Sequence, residues 1–188
     1  MKKLNFVDIF SGAGGLSCGL ELSGMRCLLG VDHNKAAIES FKLNHKNAQS
    51  YCGDITKLTP KLFKQLTNDQ VIHAVVGGPP CQGFSTYGQR SEADERNQLY
   101  VPYFKFVEEF RPKAFVLENV RGMLSLSGGA VHEDIVRRGE QLGYAVNTWV
   151  LNAADFGVPQ YRRRVFVVGI EGANRGPTAP QPSHSSSA

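Results

Sequence analysis

LNFVDIFSGAGGLSCGLELSGMRCLLGVD, residues 4–32, decides the fold. A strand-like run, LNFVDIF (4–10), passes through glycines 12, 14 and 15 into a helix-like stretch over 15–24. CLLGVD (27–32) is then strand-like again. Two apolar runs joined by a helix-length connection make a βαβ unit, and a βαβ unit implies parallel strands covered by helices. KAAIESFKLNH (35–45) continues the alternation as a helix. Further strands are expected at 49–54, 71–78, 114–120, 145–153 and 165–170, and further helices at 57–66, 99–110 and 130–142. The sum is an α/β fold: an open, doubly wound, mostly parallel sheet of seven strands with helices on both faces. Its ligands should sit at the carboxyl ends of the strands.

The 188 residues are enough for one domain with a substantial core, since the buried fraction reaches roughly 70% near this size. Residues 1–172 are read as that domain, and the Gly-, Pro- and Ser-rich stretch 173–188 as a tail. With 41% hydrophobic and 20% charged residues the composition is that of an ordinary globular protein. Apolar runs such as VFVVGI (165–170) are strand length, far short of the ~18 residues of a membrane span. Lys2 and Lys3 are followed by Asn5 and Asp8 with no apolar leader between them, so a cytoplasmic location is expected. A net charge of +4 tolerates a nucleic-acid partner without arguing for one, although Arg162, Arg163 and Arg164 stand together. No Cys or His spacing suits a metal. Cys18, Cys27 and Cys52 are expected to be small buried hydrophobes.

Gly12, Gly14 and Gly15 form the first strand-to-helix turn, where backbone amides can approach a ligand closely. The turn departs from the dinucleotide fingerprint, because Ser17 stands where the third glycine of G-x-G-x-x-G would fall. Asp32 ends the second strand, where a carboxylate can accept from ribose hydroxyls, and Asp54 with Ile55 follows the third. Each aspartate by itself reads equally well as a helix cap. Three successive strand ends offering suitable groups together favour a nucleoside ligand. The fourth strand runs into Pro79-Pro80 and presents Cys81 at the same edge. The fifth ends in Glu118 and Asn119, expected in the same crevice. Past Gln160, Arg162 and Arg164 point the same way if the segment is extended. The stretch 81–98 is long for a connection and reads as a lid.

DIFSGAGGL (8–16), GPPCQGFS (78–85), ENV (118–120) and QYRRRVF (160–166) resemble, in order and spacing, the motifs of the DNA (cytosine-5) methyltransferases. The resemblance covers about residues 4–170, and its P-P-C-Q element is specific, since amino-methylating relatives carry an aromatic residue in place of the cysteine. It implies a Rossmann-like fold that binds S-adenosylmethionine and methylates C5 of a cytosine flipped out of double-stranded DNA. Cys81 would be the nucleophile, Glu118 would hydrogen-bond the base, and Arg162 and Arg164 would stabilise the site. Phe10 would stack on the adenine, and Asp32 would hold the ribose with His33 beside it. Asp54 and Ile55 would meet the adenine, and Pro80 and Leu99 would line the pocket. Gln82, Ser85 and Asn119 would contact the substrate. The family's target-recognition region and last motif find no counterpart in residues 1–188, so a second subunit or a further segment is expected to supply them. A tRNA cytosine-5 methyltransferase and a non-catalytic regulatory homologue are the competing readings. A nucleotide-dependent dehydrogenase is disfavoured by Ser17 and by P-P-C-Q.

Overall fold

The computed structural model describes residues 3–80 and 99–184. Its strands are β1 (Asn5–Ile9), β2 (Arg26–Asp32), β3 (Gln49–Cys52), β4 (Ala74–Gly77), β5 (Ala114–Val120), β6 (Tyr144–Asn152) and β7 (Arg163–Glu171). They form a seven-stranded sheet in the order β3-β2-β1-β4-β5-β7-β6. β1 pairs in parallel with β2 and β4, and β2 with β3, while β6 and β7 are antiparallel. The mostly parallel seven-stranded sheet expected from the sequence is therefore present. The order turns back between β1 and β4, the kind of position where an open α/β sheet leaves a ligand crevice. The helices are α1 (Gly15–Leu22), α2 (Lys35–Asn44), α3 (Pro60–Leu66), α4 (Tyr100–Phe110) and α5 (Ala130–Gln141).

The chain divides into two compact units, Met1–Pro79 with Leu99–Val116, and Pro80–Gln98 with Leu117–Ala188. In the first unit the central strands are buried along their whole length: Phe6, Val7, Ile9 and Val75 are 0% exposed. Strands covered on both faces read as continuous apolar runs, which is how LNFVDIF and CLLGVD look. Side-chain alternation along the strands shows which helices cover which face. Phe6, Ala74 and Val76 pack with Phe41 of α2 and with Leu16 and Leu20 of α1. Phe115, pointing the other way, meets Phe104 of α4 at 5.4 Å. Tyr103 of α4 is fully buried, and its hydroxyl lies within hydrogen-bond distance of the carbonyls of Val75 (2.9 Å) and Val116 (3.0 Å). The helices thus lie on both faces.

In the second unit β6 and β7 form a long antiparallel ribbon, with Leu151 opposite Arg164 and Asn152 opposite Arg163. His132 of α5 meets Thr148 of β6 at 2.9 Å. The expected tail follows this ribbon at its start, because the Pro177 carbonyl accepts from Asn147 Nδ2 (3.1 Å) and Trp149 Nε1 (3.2 Å). Several boundaries differ from the sequence reading for local reasons. β4 opens at Ala74 rather than 71, since Val71 is 70% exposed and contributes nothing to the buried face. The helix expected at 57–66 begins at Pro60, whose ring suits the first helical position, with Thr59 as its cap. Cys18 and Cys52 are exposed, correcting the expectation of burial, and only Cys27 of the three is buried. Among the described residues no helix is long and apolar enough to cross a membrane.

Candidate active site

Phe10 and Gly12 both adopt left-handed backbone, φ 66° and 56°, so the chain leaves β1 in a sharp turn. For a phenylalanine this conformation is costly and marks a constrained position. Gly12 N–H donates to Asp32 Oδ2 (2.9 Å), and Asn34 N–H donates to Asp32 Oδ1 (2.8 Å). Asp32 therefore braces the glycine turn rather than capping α2, a task done by Asn34, whose side chain accepts from Ala37 N. Each Asp32 oxygen keeps acceptor capacity beyond that one bond. His33 is mostly exposed, its Nδ1 3.5 Å from Asp32 Oδ1. Asp54 does cap the 3-10 turn that follows it, Ile55–Lys57, through Thr56 N and Oγ1 (both 2.8 Å). Those bonds hold its carboxyl below the usual carboxylate range. Ile55 beside it is buried and Pro80 half-buried, and Leu99 immediately precedes α4.

Residues that the sequence reading passed over support this turn. Asp8, in the middle of the apolar β1, is 1% exposed and accepts from Ser17 Oγ at 2.6 Å. Burial pushes the Asp8 carboxyl up to about 7 against the opposing effect of that hydrogen bond. Cys27 lies 3.8 Å from Ser17 Oγ, and burial pushes its thiol up to about 12, so it is an inert packing group. A carboxylate inside a five-residue apolar strand was the available signal, since a buried polar group needs a partner. Ser11 Oγ is buried with no hydrogen-bond partner among the described residues. An orphan hydroxyl beside Gly12 and Asp32 fits a bound polar ligand that would satisfy it. The donor set suits a nucleoside cofactor. Among the described residues no cluster of three or more His, Cys, Asp or Glu could hold a metal ion.

The second unit carries the acid and the guanidinium groups. Along β5 Leu117 and Asn119 are buried, and Glu118 points to the opposite face, 24% exposed rather than fully buried. Arg164 Nε lies 3.1 Å from Glu118 Oε1, and Arg162 Nη2 3.8 Å from the same oxygen. The alternation expected of Arg162 and Arg164 thus delivers both to one carboxylate, while Arg163 is exposed. Arg162 is placed by the end of β6: its N–H donates to Asn152 Oδ1 (3.1 Å) and its carbonyl accepts from Ala153 N (3.0 Å). Asn152 had no distinguishing pattern in the sequence, because its role appears only when β6 and β7 are paired. Asn119 Oδ1 accepts from Val120 N at 2.8 Å. Cys81, Gln82 and Ser85 lie outside the described residues.

The sequence profile of the family described as C-5 cytosine-specific DNA methylase matches residues 4–187. The type II methyltransferase M.AgeI of Thalassovita gelatinovora is 52% identical over 181 residues, covering 95% of this chain and 42% of its own length. M.AquIA of Picosynechococcus is 40% identical over 179 residues, covering 89% of this chain and 71% of its own. A prophage-encoded E. coli protein, assigned as a DNA modification methyltransferase, superposes with TM-score 0.79 at 32% identity, covering 90% of this chain and 47% of that one. The chain thus spans less than half the length of the first of these relatives. With the profile matched along almost the whole sequence, the chain belongs to the C-5 cytosine-specific DNA methylases.

Proposed function

We propose that residues 1–172 form the catalytic domain of a restriction-modification DNA (cytosine-5) methyltransferase acting in the cytoplasm. The observation that carries the proposal is the convergence of Arg164 and Arg162 on Glu118 at the end of β5, in a chain whose preceding motif places a cysteine after Pro79-Pro80. Cytosine C5 is a poor nucleophile until a group adds to C6. The Cys81 thiolate adds to C6, the electron pair moves to C5, and C5 acquires the methyl group. Loss of the C5 proton to a base and elimination of the thiolate then restore the ring and the enzyme. Glu118 hydrogen-bonds the base near N3 and the exocyclic amine while charge develops there, and the two guanidinium groups fix its orientation. S-adenosylmethionine, when bound, would supply an electrophilic methyl group, its sulfur–methyl bond breaking to leave S-adenosylhomocysteine. Phe10, Gly12, Gly14, Gly15, Asp32, His33, Asp54, Ile55, Pro80 and Leu99 form its site, and Ser11 offers it a hydroxyl that has no partner among the described residues.

The target carbon is stacked inside a duplex, so the nucleotide has to be flipped out at a cost of a few kcal/mol. Gln82, Ser85 and Asn119 contact the flipped base or its phosphates. Sequence choice comes from a target-recognition part outside residues 1–188, supplied by a further segment or a second subunit. Residues 1–188 alone accordingly bind DNA weakly and without sequence preference. The test is trapping on 5-fluorocytosine, which blocks loss of the C5 substituent and holds the protein on the nucleic acid. With S-adenosylmethionine present and the recognition part supplied, the adduct is expected on DNA and not on tRNA. Trapping on tRNA alone overturns the choice of substrate.

A further inference from the structure

The glycine turn is gripped from behind by the end of α2. Asn44 Nδ2 donates to the Ala13 carbonyl (3.2 Å), and His45, one residue past the helix, places Nε2 3.1 Å from the Gly14 carbonyl. The other ring nitrogen, Nδ1, lies 2.7 Å from Glu21 Oε2 of α1. The ring is 2% exposed and lies against Phe41, centroid to centroid 4.4 Å. Gly14 leaves it the room: a Cβ there would lie 2.0 Å from Nε2. A carbonyl and a carboxylate only accept hydrogen bonds, so each ring nitrogen facing one must carry a proton. Glu21 is 31% exposed, so the carboxylate facing Nδ1 is also reached by solvent.

We infer that His45 is a positioning residue of the cofactor turn, a doubly protonated ring balanced by Glu21 that fixes the Gly14 carbonyl and with it the path of Gly12–Gly15. The inference rests on the reading of that turn as the S-adenosylmethionine site. The ring joins the N-cap of α1 to its second turn, so the start of the helix and the turn move as one piece. The charged groups facing it are Glu21 from α1 and Asp8 from β1, with Ser17 and Cys27 behind Asp8. Burial pushes the Asp8 carboxyl up to about 7, so pH effects have to be read as differences between variants.

Nitrogen NMR of the histidine rings and calorimetry with S-adenosylhomocysteine test this on the full chain. At neutral pH both His45 nitrogens are expected to show bonded protons. His45→Phe keeps the stack on Phe41 but donates nothing, and should weaken S-adenosylhomocysteine binding about ten-fold or more, the loss of one charge-assisted bond. Glu21→Gln can donate its amide to Nδ1, so a singly protonated ring satisfies both partners, and its affinity should change less with pH than the parent's. A neutral tautomer in the parent overturns the inference, as does a folded His45→Phe that binds as tightly as the parent. A parent that binds no S-adenosylhomocysteine overturns the cofactor reading instead, and the ring spectrum still decides the state of His45.

Discussion

Replacing Gly14 with alanine should cost far more than the same change two residues earlier at Gly12. Both glycines have left-handed backbone, φ 92° and 56°, so each substitution carries conformational strain of about 1–2 kcal/mol. At Gly12 that is the whole effect, because none of the described residues lies within 4 Å of the added Cβ. At Gly14 the Cβ would lie 2.0 Å from His45 Nε2, 2.5 Å from its Cδ2 and 3.0 Å from Phe41 Cδ2. The buried ring must leave, breaking its contact with the Gly14 carbonyl and weakening that with Glu21, at about 1.5–3 kcal/mol for a charge-assisted bond. The total for Gly14→Ala is about 2.5–5 kcal/mol, a large share of the 5–15 kcal/mol that typically holds a domain together. Urea unfolding measures both variants, with the midpoint falling at constant slope. Truncating the ring relieves the clash, so Gly14→Ala with His45→Ala should cost less than the two singles added. Equal destabilisation at Gly12 and Gly14 refutes the reasoning, as does strict additivity of the pair.

Other perturbations probe different parts of the molecule. Asp8 binds its proton more tightly folded, about 7 against 3.8, so its contribution is full below the lower value and is lost as pH rises through the higher one. Linkage puts that loss on the order of 4 kcal/mol, and Asp8→Asn should flatten the fall in stability across this window in pH-dependent urea melts. Arg164→Ala should lower kcat/KM for methyl transfer at least about ten-fold more than Arg162→Ala, because Arg164 makes the hydrogen-bond-length contact (3.1 against 3.8 Å). Tyr103→Phe removes the hydroxyl that lies between the Val75 and Val116 carbonyls, and should cost about 1 kcal/mol in unfolding free energy.

The sheet was legible because its strands announce themselves: parallel strands buried on both faces are short, continuous apolar runs with glycine turns between them. Arg162 and Arg164 were legible through alternation, which fixes the side of an extended segment whatever the partner strand is, and Glu118 through its place at the end of the fifth strand. Their consequence, two guanidinium groups on one carboxylate oxygen, needed the fold. Exposure was harder to read. Cys18 and Cys52 look like core residues by type, yet they lie on outward faces, one on α1 and the other ending the edge strand β3. The 3-10 stretch Arg121–Gly129 was missed because Ser127, Gly128 and Gly129, all with positive φ, break any helical period while Met123 and Leu126 are buried. His45 and Asn152 were invisible for a shared reason. Each acts on a backbone group 31 or 10 residues away, and no local pattern marks a side chain whose partner is a distant peptide bond.

The most direct test of the central claim is transfer of a labelled methyl group from S-adenosylmethionine to DNA cytosine by this domain supplied with its target-recognition part, with and without Cys81→Ser. Label is expected at C5 with the parent, and a denaturant-resistant protein–DNA adduct when the target is 5-fluorocytosine. Both should vanish in Cys81→Ser, while S-adenosylhomocysteine binding and the urea midpoint stay as in the parent. A Cys81→Ser protein that methylates at the parent's rate, or a parent that binds S-adenosylhomocysteine yet labels no cytosine, would contradict it.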